Sequence, residues 1–167
     1  MKRHFQSTLA ASLLLSLLPG FTLTGSAEVV RPAPDVAFPP HEGRPQSLGN
    51  FRGKPLILLF ANTPKDGAFR EQLKQLEEAL DRLTIRSTVF AAAFQSGDAS
   101  HLNTSVPLVV LPEGAQACAA FQLKGKFAIA LIGPDGNLDY QTNKVLNINR
   151  ILEVMQNSFA LQHRTKK

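Results

Sequence analysis

The chain has 167 residues, a formal net charge of +5 and a single cysteine. This length fits one globular domain with a real hydrophobic core, and one cysteine excludes an intramolecular disulfide. The positive charge is mild and scattered, which argues against a nucleic-acid-binding protein.

The first 27 residues have the layout of a secretory signal peptide. Lys2 and Arg3 form a basic start, and Gly25-Ser26-Ala27 offers small residues for cleavage before Glu28. The apolar run Leu9 to Leu18 is shorter than the ~20 residues that span a bilayer. Cleavage would leave 140 residues with a net charge of +3 and no membrane span. We therefore predict a periplasmic or secreted protein; the alternative is a retained N-terminal anchor.

Four segments follow from this pattern. They are a signal peptide (1–27), an extended N-terminal segment (28–50), a folded domain (51–160) and a basic tail (161–167). The second segment is rich in proline and glycine, which predicts loop or extended chain with one short strand near Val36 to Phe38.

The apolar run Leu56 to Ala61 predicts a central strand that is covered on both sides. A helix start follows, with Thr63 as N-cap, Pro64 at the first helical position and Asp66 at the third. Apolar residues then recur with helical spacing at Phe69, Leu73, Leu76, Leu80 and Leu83.

The rest of the chain completes an α/β order of elements. It predicts a strand at 85–94, a polar loop at 95–106, a short extended piece at 107–111, a short helix at 112–123, a strand at 127–132, a hairpin turn at 134–137, a returning strand at 138–141 and a helix after Asn147. A crossover helix favours a parallel strand pair, and a tight turn requires an antiparallel one. We therefore predict a thioredoxin-like three-layer sandwich with a central mixed sheet.

Residues 43–76 resemble the start of exported thioredoxin-like and peroxiredoxin-like reductases. By this resemblance, Lys65-Asp66-Gly67-Ala68 stands where those enzymes carry their CxxC cysteine pair. Lys126-Phe127 stands where they carry a proline, usually cis, that faces the cysteines. Both parts of the redox site are missing from the sequence.

Residues 55–156 resemble the P-DUDES group of thioredoxin-like domains of unknown function. The resemblance rests on a first strand that ends in a short polar turn without CxxC. It rests also on a strand led by Phe127 that runs into Ile132-Gly133-Pro134-Asp135-Gly136. It implies a fold and an exported location, and it implies little about activity.

Cys118 lies in the segment AQACAAFQL, whose pattern of small and apolar residues predicts a short buried helix. Free cysteine is among the most buried residue types, so we interpret Cys118 as a core residue. Disulfide exchange needs an attacking thiolate and a resolving partner, and one cysteine supplies only one of them. The alternative is a reactive thiol in a divergent peroxiredoxin-like or thiol oxidoreductase.

The candidate binding residues are those of the turn before the helix: Thr63, Pro64, Lys65, Asp66 and Gly67. A helix start presents free N–H groups and a positive dipole end, which suit an anion, and Lys65 adds charge. Asp66 would repel an anion, and Thr63 and Asp66 are also able to cap their own helix. Both interpretations stay open at this stage.

Nothing in the sequence predicts a metal or a cofactor. His41, His101 and His163 are far apart and lack the spacing of metal ligands. Asp98 and His101 share a loop, which is too little for a site.

The sequence therefore predicts an exported, non-catalytic binding or envelope-associated domain. Its partner would be an unknown protein or small ligand in the cell envelope, bound by the turn 63–67 and the loop 95–106. The alternative is an enzyme that uses Cys118, and a third possibility is a purely structural role in the envelope.

Overall fold

The computed structural model describes residues 31–84, 87–97, 99 and 102–165. Side chains are described as far as residue 158. The segment interpreted as a signal peptide, the loop residues Asp98 and His101, and residues 166–167 of the basic tail lie outside this part of the chain.

The described residues form strands and helices in the order that the sequence predicts, with additions at the N-terminus. The strands are β1 (Arg31–Pro32), β2 (Ala37–His41), β3 (Arg44–Ser47), β4 (Leu56–Ala61), β5 (Val89–Phe94), β6 (Leu108–Val110), β7 (Phe127–Ile132) and β8 (Asn137–Thr142). The helices are α1 (Gly67–Glu78), α2 (Leu80–Thr84), α3 (Gly114–Ala120) and α4 (Ile148–Thr165), with a 3-10 helix at Leu48–Phe51. As far as the chain is described, none of these helices is long and apolar enough to cross a membrane.

Six strands form the main sheet, in the order β1-β8-β7-β4-β5-β6. β4 pairs in parallel with β5, and β5 in parallel with β6. β7 runs antiparallel to β4, and β8 antiparallel to β7. The predicted mixed sheet, with a parallel pair after the crossover helix and an antiparallel hairpin near the end, is confirmed.

β4 lies in the middle of the sheet because both of its faces are apolar and all six of its residues are buried. Successive strand side chains point to opposite faces. Ile57 and Leu59 belong to the core under α1, α2 and α4. Leu58 and Phe60 belong to the core under α3 and the segment before the domain. The sheet is therefore the middle of three layers, as predicted.

The N-terminal segment differs from its prediction. It forms a two-stranded antiparallel sheet of β2 and β3, where the sequence predicted one short strand. The turn uses Glu42 (φ 52°) and Gly43 (φ 74°), backbone angles that suit a tight hairpin. Pro39 and Pro40 are tolerated because an edge strand need not donate every N–H.

The first helix is also divided. Ala79 leaves helical geometry at φ −115° and ψ 11°, so α1 ends there and α2 follows at once. The apolar stripe continues across this break, and Leu83 is fully buried. At the other end of the chain, α4 continues to Thr165, into the segment predicted as a basic tail.

Candidate functional site

Three chain segments meet where β4 ends. Asn62 donates its N–H to the carbonyl of Lys126 at 3.0 Å, just before β7. Gln95 donates to the carbonyl of Ala61 at 3.0 Å, and Ser96 to that of Asn62 at 2.9 Å. The carboxyl ends of the parallel strands β4 and β5 are thus joined directly. Ligands of α/β proteins bind at this edge of the sheet.

The residues after Asn62 form a β-turn. Asp66 donates its N–H to the carbonyl of Thr63 at 3.1 Å, and Lys65 donates to Thr63 Oγ1 at 3.3 Å. Pro64 occupies the second position, where its fixed φ favours a turn. Pro64 therefore lies in the turn and not at the first helical position that the sequence predicted.

The N-cap of α1 is Asp66, and the predicted cap at Thr63 was wrong. Asp66 Oδ1 accepts from the N–H of Ala68 at 3.0 Å and of Phe69 at 3.3 Å. Aspartate caps helices at least as well as threonine, so the helix begins three residues later, at Gly67. The remaining Thr63 hydroxyl stabilises the turn.

This cap changes what the turn offers to a ligand. Two of the first amide donors of α1 already bind the Asp66 carboxylate, which stands where an added anion would bind. Lys65 and Gly67 are exposed, and the other three candidate residues of the turn are half-buried. A ligand at the turn would therefore meet its outer surface and the charge of Lys65.

The loop after β5 packs against the same turn. Gly97 has φ +93°, and a Cβ at this position would lie 3.2 Å from Pro64 Cδ. A side chain here would be strained by the backbone and would press on the turn. Because Gly97 has no side chain, the loop packs closely against Thr63 and Pro64.

A groove of about 690 Å³ lies between this turn, the outer side of α1 and the end of the polar loop. Lys65, Arg70 and Lys74 line it as cations. Leu73 and Leu102 supply its apolar surface. Its volume is in the range of ligand sites, and it is partly open to solvent.

A hydrogen bond holds the loop wall of the groove to α1. Ser105 donates its N–H to Glu77 Oε1 at 3.0 Å, across 28 residues of sequence. Thr104 Oγ1 accepts from the N–H of Val106 at 3.1 Å and shapes the loop next to this bond. The turn and the loop that the sequence singled out are therefore neighbours, and the groove is the space between them.

Asn62 adds an unusual polar group at the same edge. Its side-chain oxygen Oδ1 is buried and has no hydrogen-bond partner in the structure. Most buried acceptors are paired, because an unpaired one loses its hydrogen bonds to water. Asn62 thus leaves an acceptor unused beside the turn.

Cys118 lies on the other side of the sheet. It sits in α3, is 1% exposed and packs with the core that contains Phe60 and Phe121. Its Sγ donates to the carbonyl of Ala93 at 3.8 Å. Burial raises the pKa of the Cys118 thiol to about 11, against a smaller lowering by a hydrogen bond from the backbone N–H of Cys118 itself. Cys118 is a core residue, as the sequence predicted, and the sheet separates it from Lys65 to Ala68.

The described residues contain no group of three His, Cys, Asp or Glu side chains that could hold a metal ion. His41 is exposed at the end of β2. His163 lies in the part of α4 whose side chains are not described, and His101 lies outside the described residues.

No family model matches the chain, and no curated protein sequence matches it either. Solved structures do match. A thio-disulfide isomerase from Thermus thermophilus has a TM-score of 0.63 at 12% identity, covering 77% of this chain and 95% of that one. Peroxidoxin BcpB from Mycobacterium tuberculosis has a TM-score of 0.59 at 12% identity, with 77% and 96% covered. The pneumococcal exposed lipoprotein thioredoxin Etrx1 from Streptococcus pneumoniae has a TM-score of 0.53 at 14% identity, with 74% and 98% covered.

These structural similarities establish the fold alone, because the sequence identities are too low to establish a function. The chain has a thioredoxin-like α/β fold, and its sequence has one cysteine and no CxxC pair. The fold expectation from the sequence is confirmed.

The groove also contains Arg70 and Lys74, which are not among the candidate residues that the sequence predicts. A signal was present, because these two cations lie four residues apart and therefore on the same side of α1. Their position opposite Leu102 depends on the path of the loop, which no local pattern in the sequence predicts.

Proposed function

We propose that the mature chain is an exported, non-catalytic protein that binds a partner or small ligand of the cell envelope. It binds through the groove between the turn 63–67, α1 and the loop residues 102–105. The thioredoxin-like fold holds the groove in shape, and the protein performs no thiol chemistry.

One observation carries the proposal. Where the resemblance to exported reductases places a cysteine pair, the chain has Lys65 and Ala68 at the start of α1. The single thiol is buried on the opposite face of the sheet, under α3. Thiol chemistry needs an accessible thiolate. In this chain no cysteine lies at the start of α1, and the buried Cys118 has a raised pKa.

The groove supports a binding role. It includes the turn that follows β4, and hydrogen bonds fix its walls, at Asp66 at the start of α1 and at Ser105 in the loop. Concave surfaces of this volume are typical of binding sites, and the lining of this groove is mainly charged.

The test is an assay for redox turnover. The purified mature chain should neither reduce insulin disulfides nor consume peroxide above a protein-free control, and Cys118→Ser should behave identically. Clear turnover by the wild type that Cys118→Ser abolishes would refute the proposal.

A second candidate is a divergent peroxiredoxin-like or thiol oxidoreductase that uses Cys118. The observation in its favour is that the similar structures include a thio-disulfide isomerase and a peroxidoxin. It requires Cys118 to become accessible. Native Cys118 should then react with a thiol probe as fast as the unfolded chain does, whereas the binding proposal expects labelling only after unfolding.

Export and family membership belong to the same proposal. The sequence pattern of residues 1–27 supports cleavage before Glu28, and the likeness to an exposed lipoprotein thioredoxin agrees with an envelope location. The motifs around Phe127 support membership of the P-DUDES group. Mass spectrometry of the protein from the periplasm or medium should give a chain that begins at Glu28; an intact N-terminus in the membrane fraction would contradict export by cleavage.

A purely structural role in the envelope is a third possible function of the same fold. It differs from ligand binding in one measurable way. A stable partner would be recovered at the same yield whether or not the groove cations are present, so Arg70→Gln/Lys74→Gln would leave the yield unchanged.

A further inference from the structure

At one edge of the main sheet, β1 covers only part of the strand beside it. Arg31 pairs with Leu138 and Pro32 with Asn137, whereas β8 continues to Thr142. Among the described residues, no strand lies beside the rest of β8 on this side, because β1 is the last strand of the sheet. An edge without a neighbouring strand presents backbone N–H and C=O groups that pair readily with further chain.

A recess of about 450 Å³ lies beside this open edge, and we call it the β8 recess. Its lining includes Arg31 from β1, Lys124 from the turn before β7 and Gln141 from β8. The described residues that line it include no acid, and within the described chain neither Arg31 nor Lys124 forms a salt bridge. The β8 recess therefore favours a negatively charged group.

Gln141 adds a buried acceptor to the β8 recess. Its Nε2 donates to the carbonyl of Phe121 at 2.8 Å, which fixes the orientation of the side-chain amide. Its Oε1 is buried, and no donor of the described residues binds it. A buried acceptor without a donor costs free energy, so this oxygen favours an added N–H group. The recess therefore suits a group that carries a negative charge and a hydrogen-bond donor together.

The chain itself leads towards the β8 recess. Because β1 and β8 are antiparallel, each residue before Arg31 would pass one residue further along β8. Residues 28–30, which lie outside the described part of the chain, have the sequence Glu-Val-Val. Continued in the register of β1, they would place Glu28 opposite Gln141. A bulge in β8 shifts this count by about one residue, which leaves Glu28 beside the recess.

The predicted cleavage before Glu28 would give this residue both of the groups that suit the recess. Its side chain carries a carboxylate, and its new α-amino group is mostly protonated at pH 7 and donates hydrogen bonds. In the uncleaved chain the same nitrogen is an uncharged amide joined to Ala27. Val29 and Val30 are β-branched, which favours a strand between Glu28 and β1.

We propose that the mature N-terminus, residues 28–30, docks on its own domain by extending β1 along β8. The α-ammonium of Glu28 donates to Gln141 Oε1. The Glu28 carboxylate lies among the cations of the recess and offsets their repulsion of the ammonium. This inference rests on the proposed export with cleavage before Glu28, and it makes closure of the open sheet edge a consequence of that cleavage.

The test measures the reactivity of the Glu28 α-amino group in the purified mature chain. At pH 7 an amine-directed reagent labels a free α-amino group before the lysines, because its pKa is lower. Labelling in the folded chain, located by mass spectrometry, should be about tenfold slower than in urea, since a hydrogen bond holds the group. Gln141→Met should restore most of the unfolded rate. Equal rates in the folded and unfolded wild type would overturn the inference.

A second variant tests the docking without changing the domain. Glu28→Ala removes the carboxylate and leaves the ammonium among cations, so labelling relative to the unfolded rate should be faster by about threefold or more. Glu71→Ala is the matched control, because it removes an exposed acid of α1 that does not line the recess. It should leave the labelling rate unchanged. Equal acceleration by both variants would overturn the inference in favour of a general effect of charge.

A peptide in solution distinguishes the chain's own N-terminus from an outside ligand. The tripeptide amide Glu-Val-Val-NH2 should shift the Gln141 side-chain amide signal in NMR spectra of a chain that begins at Arg31, and do so saturably. The mature chain should show no such shift, because its own N-terminus occupies the recess. The acetylated tripeptide should bind the shortened chain about tenfold more weakly. Equal shifts in the mature and shortened chains would overturn the inference, because the recess would then be open to outside ligands.

Two outcomes separate this inference from the proposed export. A protein that begins at Glu28 in the cell, and whose α-amino group is labelled at the unfolded rate, would overturn the docking and leave export in place. A protein that keeps residues 1–27 in the cell would overturn both.

Discussion

The chemistry of the single thiol is set by its surroundings. Cys118 is 1% exposed among apolar side chains, and burial penalises the thiolate more than the backbone N–H of Cys118 stabilises it. With a pKa of about 11, roughly one thiol in ten thousand is ionised at pH 7. The same residue in an exposed, cation-rich place would be reactive, so its place in α3 makes it inert.

This shift predicts a dependence of stability on pH. The pKa of Cys118 is raised from 9.0 to about 11 in the folded chain, so the folded state binds this proton more tightly than the unfolded state. Its contribution to stability is complete below pH 9 and is lost as the pH rises towards 11. Chemical denaturation of wild type and Cys118→Ala at several pH values should show a steeper alkaline decline for the wild type. Parallel curves would show that the folded thiol titrates normally.

At the next scale, the start of α1 depends on one carboxylate. We expect Asp66→Ala to lower the free energy of unfolding by about 1 kcal/mol, because two amide donors lose their acceptor. Thr63→Ala should change it by less than about 0.5 kcal/mol, since its hydroxyl accepts one long bond in an exposed turn. Urea denaturation of the two variants measures this difference. A larger loss for Thr63→Ala would restore the cap that the sequence predicted.

The docking of α3 on β5 depends on a glycine. A Cβ at Gly114 would lie 2.3 Å from the carbonyl oxygen of Phe94, so the helix cannot keep its distance from the strand with any larger residue. We expect Gly114→Ala to cost about 2 kcal/mol or more through overpacking against backbone. Gly67→Ala is the control, because nothing lies within 4 Å of a Cβ there and the residue is helical. Equal thermal unfolding of the two variants would contradict the close approach.

The sequence predicted elements well where a single local signal dominated. The continuous apolar runs at Leu56 and Phe127 gave β4 and β7 nearly to the residue. At the start of α1 two good caps lie three residues apart, and no local rule chooses between Thr63 and Asp66. The prolines before Glu42 and Gly43 indicated loop, although an edge hairpin tolerates them.

Contacts between elements were less accessible to sequence reasoning. The Glu77 to Ser105 bond and the buried Gln72 are examples. Gln72 is fully buried, donates to the carbonyl of Leu146 at 3.1 Å and accepts from its N–H at 2.6 Å. These bonds join α1 to the chain before α4, across 74 residues. A glutamine next to an apolar stripe gives no sign of such a partner, because the partner is backbone.

For the whole molecule, the groove and the thiol are separated by the sheet that the apolar strands form. One face supports α1, beside which the groove lies, and the other holds Cys118 under α3. We therefore expect a variant of Cys118 to leave the groove unchanged, and a variant of the groove to leave the thiol unchanged. This separation is what allows the redox and binding proposals to be tested one at a time.

The N-terminal hairpin packs on the core of the domain that the sequence predicts to begin at residue 51, so we expect the two to unfold together. Phe38 is 3% exposed in the core under α3, and its ring lies 4.5 Å from that of Phe51. We expect Phe38→Ala to lower the free energy of unfolding of the entire domain by about 3 to 4 kcal/mol, because it leaves a cavity in a core that β4 and β7 share. His41→Ala, an exposed change in the same hairpin, should have little effect. Hydrogen exchange of the β7 amides measures whether the loss is global. If only residues 36–51 exchange faster in Phe38→Ala, the hairpin opens as a separate unit and the boundary at residue 51 is real.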